Sequence, residues 1–146
     1  MARIDPLPGF LCVERPEGVL MVREAYRARL ESLGLLEPGG VRPPGNGRMM
    51  AAGRGRLLVL PLDPQGRESA LLRTYTHGGA LRWLFRSWFT DRQRPFRELA
   101  LMEQLAAWGV PTLRGLAAAA RRVFPGVYRH VLVTLFEQGA KDLLAF

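Results

Sequence analysis

Between Gly53 and Trp108 the chain changes period three times within one short stretch, and few folds accommodate that order. GRG is followed by LLVLPL at 57–62 and SALLRTY at 69–75, two β-type runs joined through Asp63-Pro64 and Gly66, which carry turn chemistry. These predict a hairpin. Thr76-His77-Gly78-Gly79 then breaks the second run, and from Ala80 to Phe89 the residues Leu81, Leu84, Phe85 and Trp88 recur on one helical stripe beside Arg82 and Arg86. Pro95 suits the first turn of a further helix running to Trp108, with Phe96, Leu99, Ala100, Met102 and Leu105 on its apolar face and Gly109 as its C′ residue. Hairpin, basic aromatic helix and second helix together predict an α+β domain built on a small antiparallel sheet packed with one long helix.

The flanks complete that plan. FLCVE at 10–14 and VLMV at 19–22, separated by Arg15-Pro16-Glu17-Gly18, predict an N-terminal hairpin, and Ala25, Tyr26, Leu30, Leu33 and Leu36 predict an amphipathic helix over 23–36. The Pro/Gly-dense 37–47 predicts a linker without helix or sheet, so residues 1–50 read as a cap and 51–146 as the main lobe. Beyond Gly109, residues 115–123 and VYRHVLVTLF at 127–136 read as a second hairpin about Phe124-Pro125-Gly126, although LAAAA at 116–120 also has helical propensity. Residues 141–146 read as the start of a helix.

At 146 residues with 48% hydrophobic and 23% charged positions, the chain has enough material for one core. No apolar run approaches the ~20 residues of a membrane span, no secretory signal is legible at the start, and the single cysteine, Cys12, reads as a buried inert thiol in a reducing cytoplasm. The net charge is +8, and every basic residue except Lys141 is arginine. Between Arg54 and Arg97 nine arginines face only Asp63, Glu68 and Asp91, a local field that favours polyanions. Arginine bias in the coding sequence accounts for part of this excess, and no nucleic-acid recognition motif accompanies it.

The same order of parts is what a nucleotide-binding lobe needs: a hairpin over the phosphates, a cation on the next strand and a helix carboxylate that holds the cation in place. Gly53 and Gly55 stand at the hairpin, Arg73 ends the Ala70-Leu71-Leu72-Arg73 run, and Glu98 follows Pro95 on the helix. Arginine serves where lysine is usual, since its fork pairs with phosphate and carboxylate together. His77 and His130 are too far apart and too poorly accompanied for a metal site. Arg82, Trp83, Arg86, Trp88 and Phe89 suit either a core helix or an Arg-flanked aromatic patch that meets a membrane surface.

The stretch from Leu71 to Val123 resembles the bacterial lipopolysaccharide kinases, the Kdo and core-heptose kinases. Leu72, Arg73, Tyr75, Gly78 and Gly79 match an L-R-x-Y-x-x-G-G element, Arg94, Phe96 and Glu98 match R-x-F-x-E, and Leu101, Leu105, Gly109, Val110 and Pro111 match the break that follows. The resemblance covers roughly Gly53 to Leu144. It implies a protein-kinase-like N-lobe and ATP-dependent phosphorylation of a sugar hydroxyl in the lipopolysaccharide inner core. Arg73 then replaces the usual strand lysine, Glu98 is its helix partner, and Thr134, Leu135 and Phe136 form the segment leading to the hinge beside adenine. Leu135 stands where an acidic residue is common, which weakens side-chain contacts there.

In this superfamily the proton-accepting aspartate and the Mg²⁺ ligands come from a second lobe. That lobe is expected outside the chain, so Asp5, Asp63, Asp91 and Asp142 receive no catalytic role and the chain alone is expected to lack turnover. Partners implied by the resemblance are a nucleotide with Mg²⁺, a lipid-linked sugar and a peripheral contact with the inner membrane from the cytoplasmic side. Homodimerisation through exposed apolar surface is a further expectation. Two rival readings stand beside this one: a non-catalytic binding or regulatory module at the membrane surface, and a basic nucleic-acid-binding domain suggested by charge alone.

Overall fold

The computed structural model describes residues 4–42, 48–51, 56–63, 65, 67–75 and 89–137. In chain order the elements are β1 (Phe10–Arg15), β2 (Gly18–Arg23), α1 (Glu24–Ser32), β3 (Leu36–Glu37), β4 (Gly40–Val41), β5 (Arg48–Ala51), β6 (Arg56–Pro61), β7 (Glu68–Thr74), α2 (Arg94–Ala107), β8 (Gly115–Phe124) and β9 (Val127–Glu137). Seven strands form one sheet in the order β1-β2-β8-β9-β7-β6-β5, and every described neighbour pair is antiparallel. The fold is α+β.

Alternation along the strands divides the core between two faces. On one, Leu20, Val22, Ala117, Ala119, Val131 and Val133 pack with Tyr26 and Leu30 of α1 and with Leu35 and Val41. On the other, Val19, Met21, Ala118, Ala120 and Leu132 pack with Phe96 and Leu99 of α2. In place of one helix on a small sheet, two helices therefore cover opposite faces of a seven-stranded one. The strand β8 lies between them with Leu116 to Ala120 at most 1% exposed. Its alanines favour a helix intrinsically, but a strand paired on both edges and covered on both faces satisfies every backbone group and admits only small side chains.

Both predicted hairpins around β6–β7 and β8–β9 form, the first closed by Asp63, whose carboxylate accepts from the N–H groups of Gln65, Arg67 and Glu68 at 2.9, 3.1 and 3.0 Å. Helix α2 ends as its sequence indicates: Gly109 has φ +77°, and the N–H groups of Gly109 and Val110 return to the carbonyls of Ala106 and Leu105. The N-terminal hairpin also forms, and it lengthens the sheet through the pairing of β2 with β8.

Three expectations are corrected. The first helix stops at Ser32 and not at Leu36, because Gly34 and Leu35 close it with bonds to the carbonyls of Glu31 and Leu30. The Pro/Gly-rich stretch does hold sheet: Pro38-Gly39 makes the turn between β3 and β4, whose residues pair Leu36 with Val41 and Glu37 with Gly40. Phe89 ends no helix, since its backbone exchanges hydrogen bonds of 2.8 and 2.7 Å with Tyr128 as an isolated bridge. The remainder of the helix expected over 80–89, and the one expected from 141, lie outside the described residues.

A close backbone approach occurs at Gly18, where β2 begins. A Cβ there would stand 2.4 Å from the Gly39 carbonyl oxygen and 2.5 Å from that of Ala120, with φ at +153°. No atom near it is the movable end of a side chain. Gly18→Ala is therefore expected to destabilise the chain by about 2 kcal/mol or more, read as a lowered midpoint in urea unfolding; an unchanged midpoint would show that β4 can withdraw from β2 at no cost.

Candidate functional site

Alternation on β7 turns Arg73 and Tyr75 to the face that α2 covers, and the ladder sets Arg73 between Leu57 of β6 and Leu132 of β9. On α2, Phe96 and Leu99 point into the core at 6% and 0% exposure, and Glu98 lies beside them towards β7. The guanidinium of Arg73 donates through Nη2 to Glu98 Oε2. Two residues 25 positions apart thus meet in an ion pair at the open edge of the layer between sheet and helix. Their side chains are 43% and 35% exposed, and a pair so well hydrated contributes about 1 kcal/mol at most to folding. Its position suits contact with something in solvent better than it suits stability.

Tyr75 forms the floor. The Arg73 guanidinium carbon lies 4.7 Å above its ring centroid, and its edge meets His130 at 5.6 Å and Phe89 at 6.4 Å. Phe89 stacks on His130 at 4.6 Å. Burial, and then the Glu98 carboxylate, push the Tyr75 phenol above its ordinary range, so it stays neutral beneath the charges. Burial acts to lower the Arg73 value, but the Tyr75 hydroxyl and Glu98 outweigh it and the guanidinium is held charged.

Several anticipated site residues fall elsewhere. Gly53 and Gly55 lie outside the described residues; Ala51 and Arg56, which bracket them, are paired with each other, and Arg56 pairs with Thr74, one residue beyond Arg73. Thr134 and Leu135 remain inside the β9 ladder at 4% and 6% exposure. The Leu135 N–H donates to the Arg114 carbonyl at 2.8 Å. Phe136 pairs with Ser69, so the strand has not yet ended there. Of the membrane-facing candidates, Arg82, Trp83, Arg86 and Trp88 lie outside the described residues. Phe89 is 8% exposed and sandwiched in the core, which removes it from that patch.

Cys12 fits its inert reading, half-buried with its thiol pushed up by burial and by Glu14. Among the described residues no three His, Cys, Asp or Glu side chains gather as a metal centre, and no helix is long and apolar enough to cross a membrane. Sequence reasoning underrated Tyr75 and Arg94, which entered only as motif matches. Their signal was spacing: two residues from Arg73 along a strand, and four from Glu98 along a helix.

A strand cation and a helix carboxylate brought together beside a hairpin are the arrangement that phosphoryl-transfer lobes use. Residues 51–146 match the model of the lipopolysaccharide kinase (Kdo/WaaP) family. The chain belongs to that family. It is a lipopolysaccharide-kinase-like protein, and the matched region contains β6 to β9 and α2, hence Arg73, Tyr75, Arg94 and Glu98. No curated protein and no solved structure matches the chain.

His130 supplies a test of this packing. It is fully buried against Tyr75 and Phe89, and burial pushes its imidazole down to about 4. A base whose folded value is depressed binds its proton more readily when unfolded. Stability is therefore expected to fall as pH drops from about 6.5 towards 4, by on the order of 3 kcal/mol. Urea unfolding at stepped pH should show this slope in the native chain and lose it in His130→Asn; an equal slope in both would place the titrating group elsewhere.

Proposed function

We propose that this chain binds ATP at the edge between β7 and α2, as the nucleotide-binding lobe of a kinase that phosphorylates a hydroxyl of a lipopolysaccharide inner-core sugar, Kdo or heptose. The observation that carries the reading is the Arg73–Glu98 pair, two residues from different elements held half-exposed over Tyr75. A guanidinium backed by a carboxylate keeps donors free for phosphate oxygens while its position is fixed, so the residues present fit a nucleotide phosphate. The pairing of Ala51 with Arg56, and of Arg56 with Thr74, supports reading the intervening Gly53-Arg54-Gly55, from its sequence, as a phosphate-covering loop.

In this reading ATP supplies the phosphoryl group, Arg73 draws the phosphates to the sheet edge, and Glu98 fixes the Arg73 rotamer. Mg²⁺, when bound, would offset the charge of the phosphates, and its carboxylate ligands would come from outside the described residues. A lipid-linked sugar acceptor implies work at the cytoplasmic face of the inner membrane, by peripheral contact. No described observation favours the membrane-module or nucleic-acid readings over this one.

Because the pair adds little to folding, Glu98→Ala and Arg73→Gln are each expected to weaken Mg-ATP binding about tenfold or more in calorimetry while the thermal midpoint moves by no more than a few degrees. Parallel loss of affinity and stability would sink the assignment of the pair to nucleotide.

A further inference from the structure

Glu98 faces two cations. While Oε2 accepts from Arg73, Oε1 lies 4.0 Å from Nε of Arg94, one helical turn back on α2. The Arg94 guanidinium carbon lies 5.3 Å above the same Tyr75 ring and 5.6 Å from that of Phe89, so both arginines rest on one aromatic floor. One carboxylate between two guanidiniums leaves a net charge of +1, and the Tyr75 phenol, held neutral, does not reduce it. The next acid on this end, Asp91, is engaged by Arg97. Arg94 is 50% exposed.

The placement works against the helix that carries it. Arg94 is the first residue of α2, whose first turn contains no acidic residue and whose N-cap Gln93 makes no side-chain capping bond. A cation there meets the positive end of the helix dipole, and arginine preceding glutamate at i,i+4 is the weaker orientation of such a pair. Folding gains little from a charge in this position. A polyanion held beside Arg73 gains a second fork.

We propose that Arg94 and Arg73 form a two-arginine cradle on Glu98 that binds two successive phosphoryl groups of a polyphosphate. The inference deepens the nucleotide reading by assigning Arg94 a direct phosphate contact; the glutamate sets the spacing of the forks and the Tyr75 ring their plane. With a single lysine-like cation the site would hold one phosphoryl group; with two it discriminates a polyphosphate chain from a monophosphate.

The test is calorimetric titration of the 146-residue chain with inorganic tripolyphosphate, without metal, alongside thermal unfolding. Arg94→Gln is expected to weaken tripolyphosphate about tenfold to a hundredfold, to affect orthophosphate far less, and to leave the midpoint unchanged or raised; Arg94→Lys is expected to restore most of the affinity. Native affinity in Arg94→Gln, or a loss of affinity matched by a fall in midpoint, would overturn the cradle. So would a native chain that binds no tripolyphosphate. ATP titrated in parallel separates the two readings: tripolyphosphate bound through Arg94 without ATP affinity ends the nucleotide assignment and keeps the cradle, whereas ATP binding indifferent to Arg94 does the reverse.

Discussion

The contact between Leu99 and the backbone at Gly115 sets the height of α2 above the sheet. A Cβ on Gly115 would stand 2.2 Å from Leu99 Cδ1, so the helix seats where β8 has no side chain to hold it off. Leu99 is completely buried there. Arg23 reinforces the seat from β2: its Nε donates to the Gly115 carbonyl at 2.9 Å, its Nη2 pairs with Glu103 of α2, and its guanidinium lies over Phe10. Glu98 is the residue before Leu99 on α2, turned out of the core, and the same seating brings it to Arg73. A larger residue at 115 would have to displace the Leu99 side chain.

The alanine strand extends the same constraint across the molecule. With Ala117 and Ala119 facing α1, and Ala118 and Ala120 facing α2, β8 lets two layers close on one sheet with little side-chain bulk between them. Stability is concentrated in this dry centre. Charge is concentrated at the edge, where Arg73, Arg94 and Glu98 remain half-exposed and contribute little to folding. The separation means that the chemistry of the edge can change with small effect on the core, and it explains why an otherwise costly cation at the start of α2 is tolerated.

Much of this was legible in residue order. The turn at Asp63, the start of α2 at Pro95 and its end at Gly109 follow from local backbone chemistry, and the pairing of Arg73 with Glu98 follows from the order of strand and helix. The errors have physical causes as well. The Pro/Gly density of 37–47 reads as unstructured because single turns and linkers share a composition, and Pro38-Gly39 proved to be a turn between two short strands. Phe89 ends a run whose spacing reads as helical, but its backbone is captured by Tyr128 and its ring by His130.

Sequence by itself determined the family, the two central hairpins, the ends of α2 and the order that brings Arg73 and Glu98 together, because turn residues, hydrophobic period and motif spacing act over a few positions. Only the tertiary structure decided that the N-terminal hairpin joins the sheet beside β8, that alanines become a central strand, and that Arg94 shares both the carboxylate and the aromatic floor of Arg73. Those outcomes depend on which faces are covered and how closely backbones approach. Such quantities arise from residues far apart in the chain, and no local pattern encodes them.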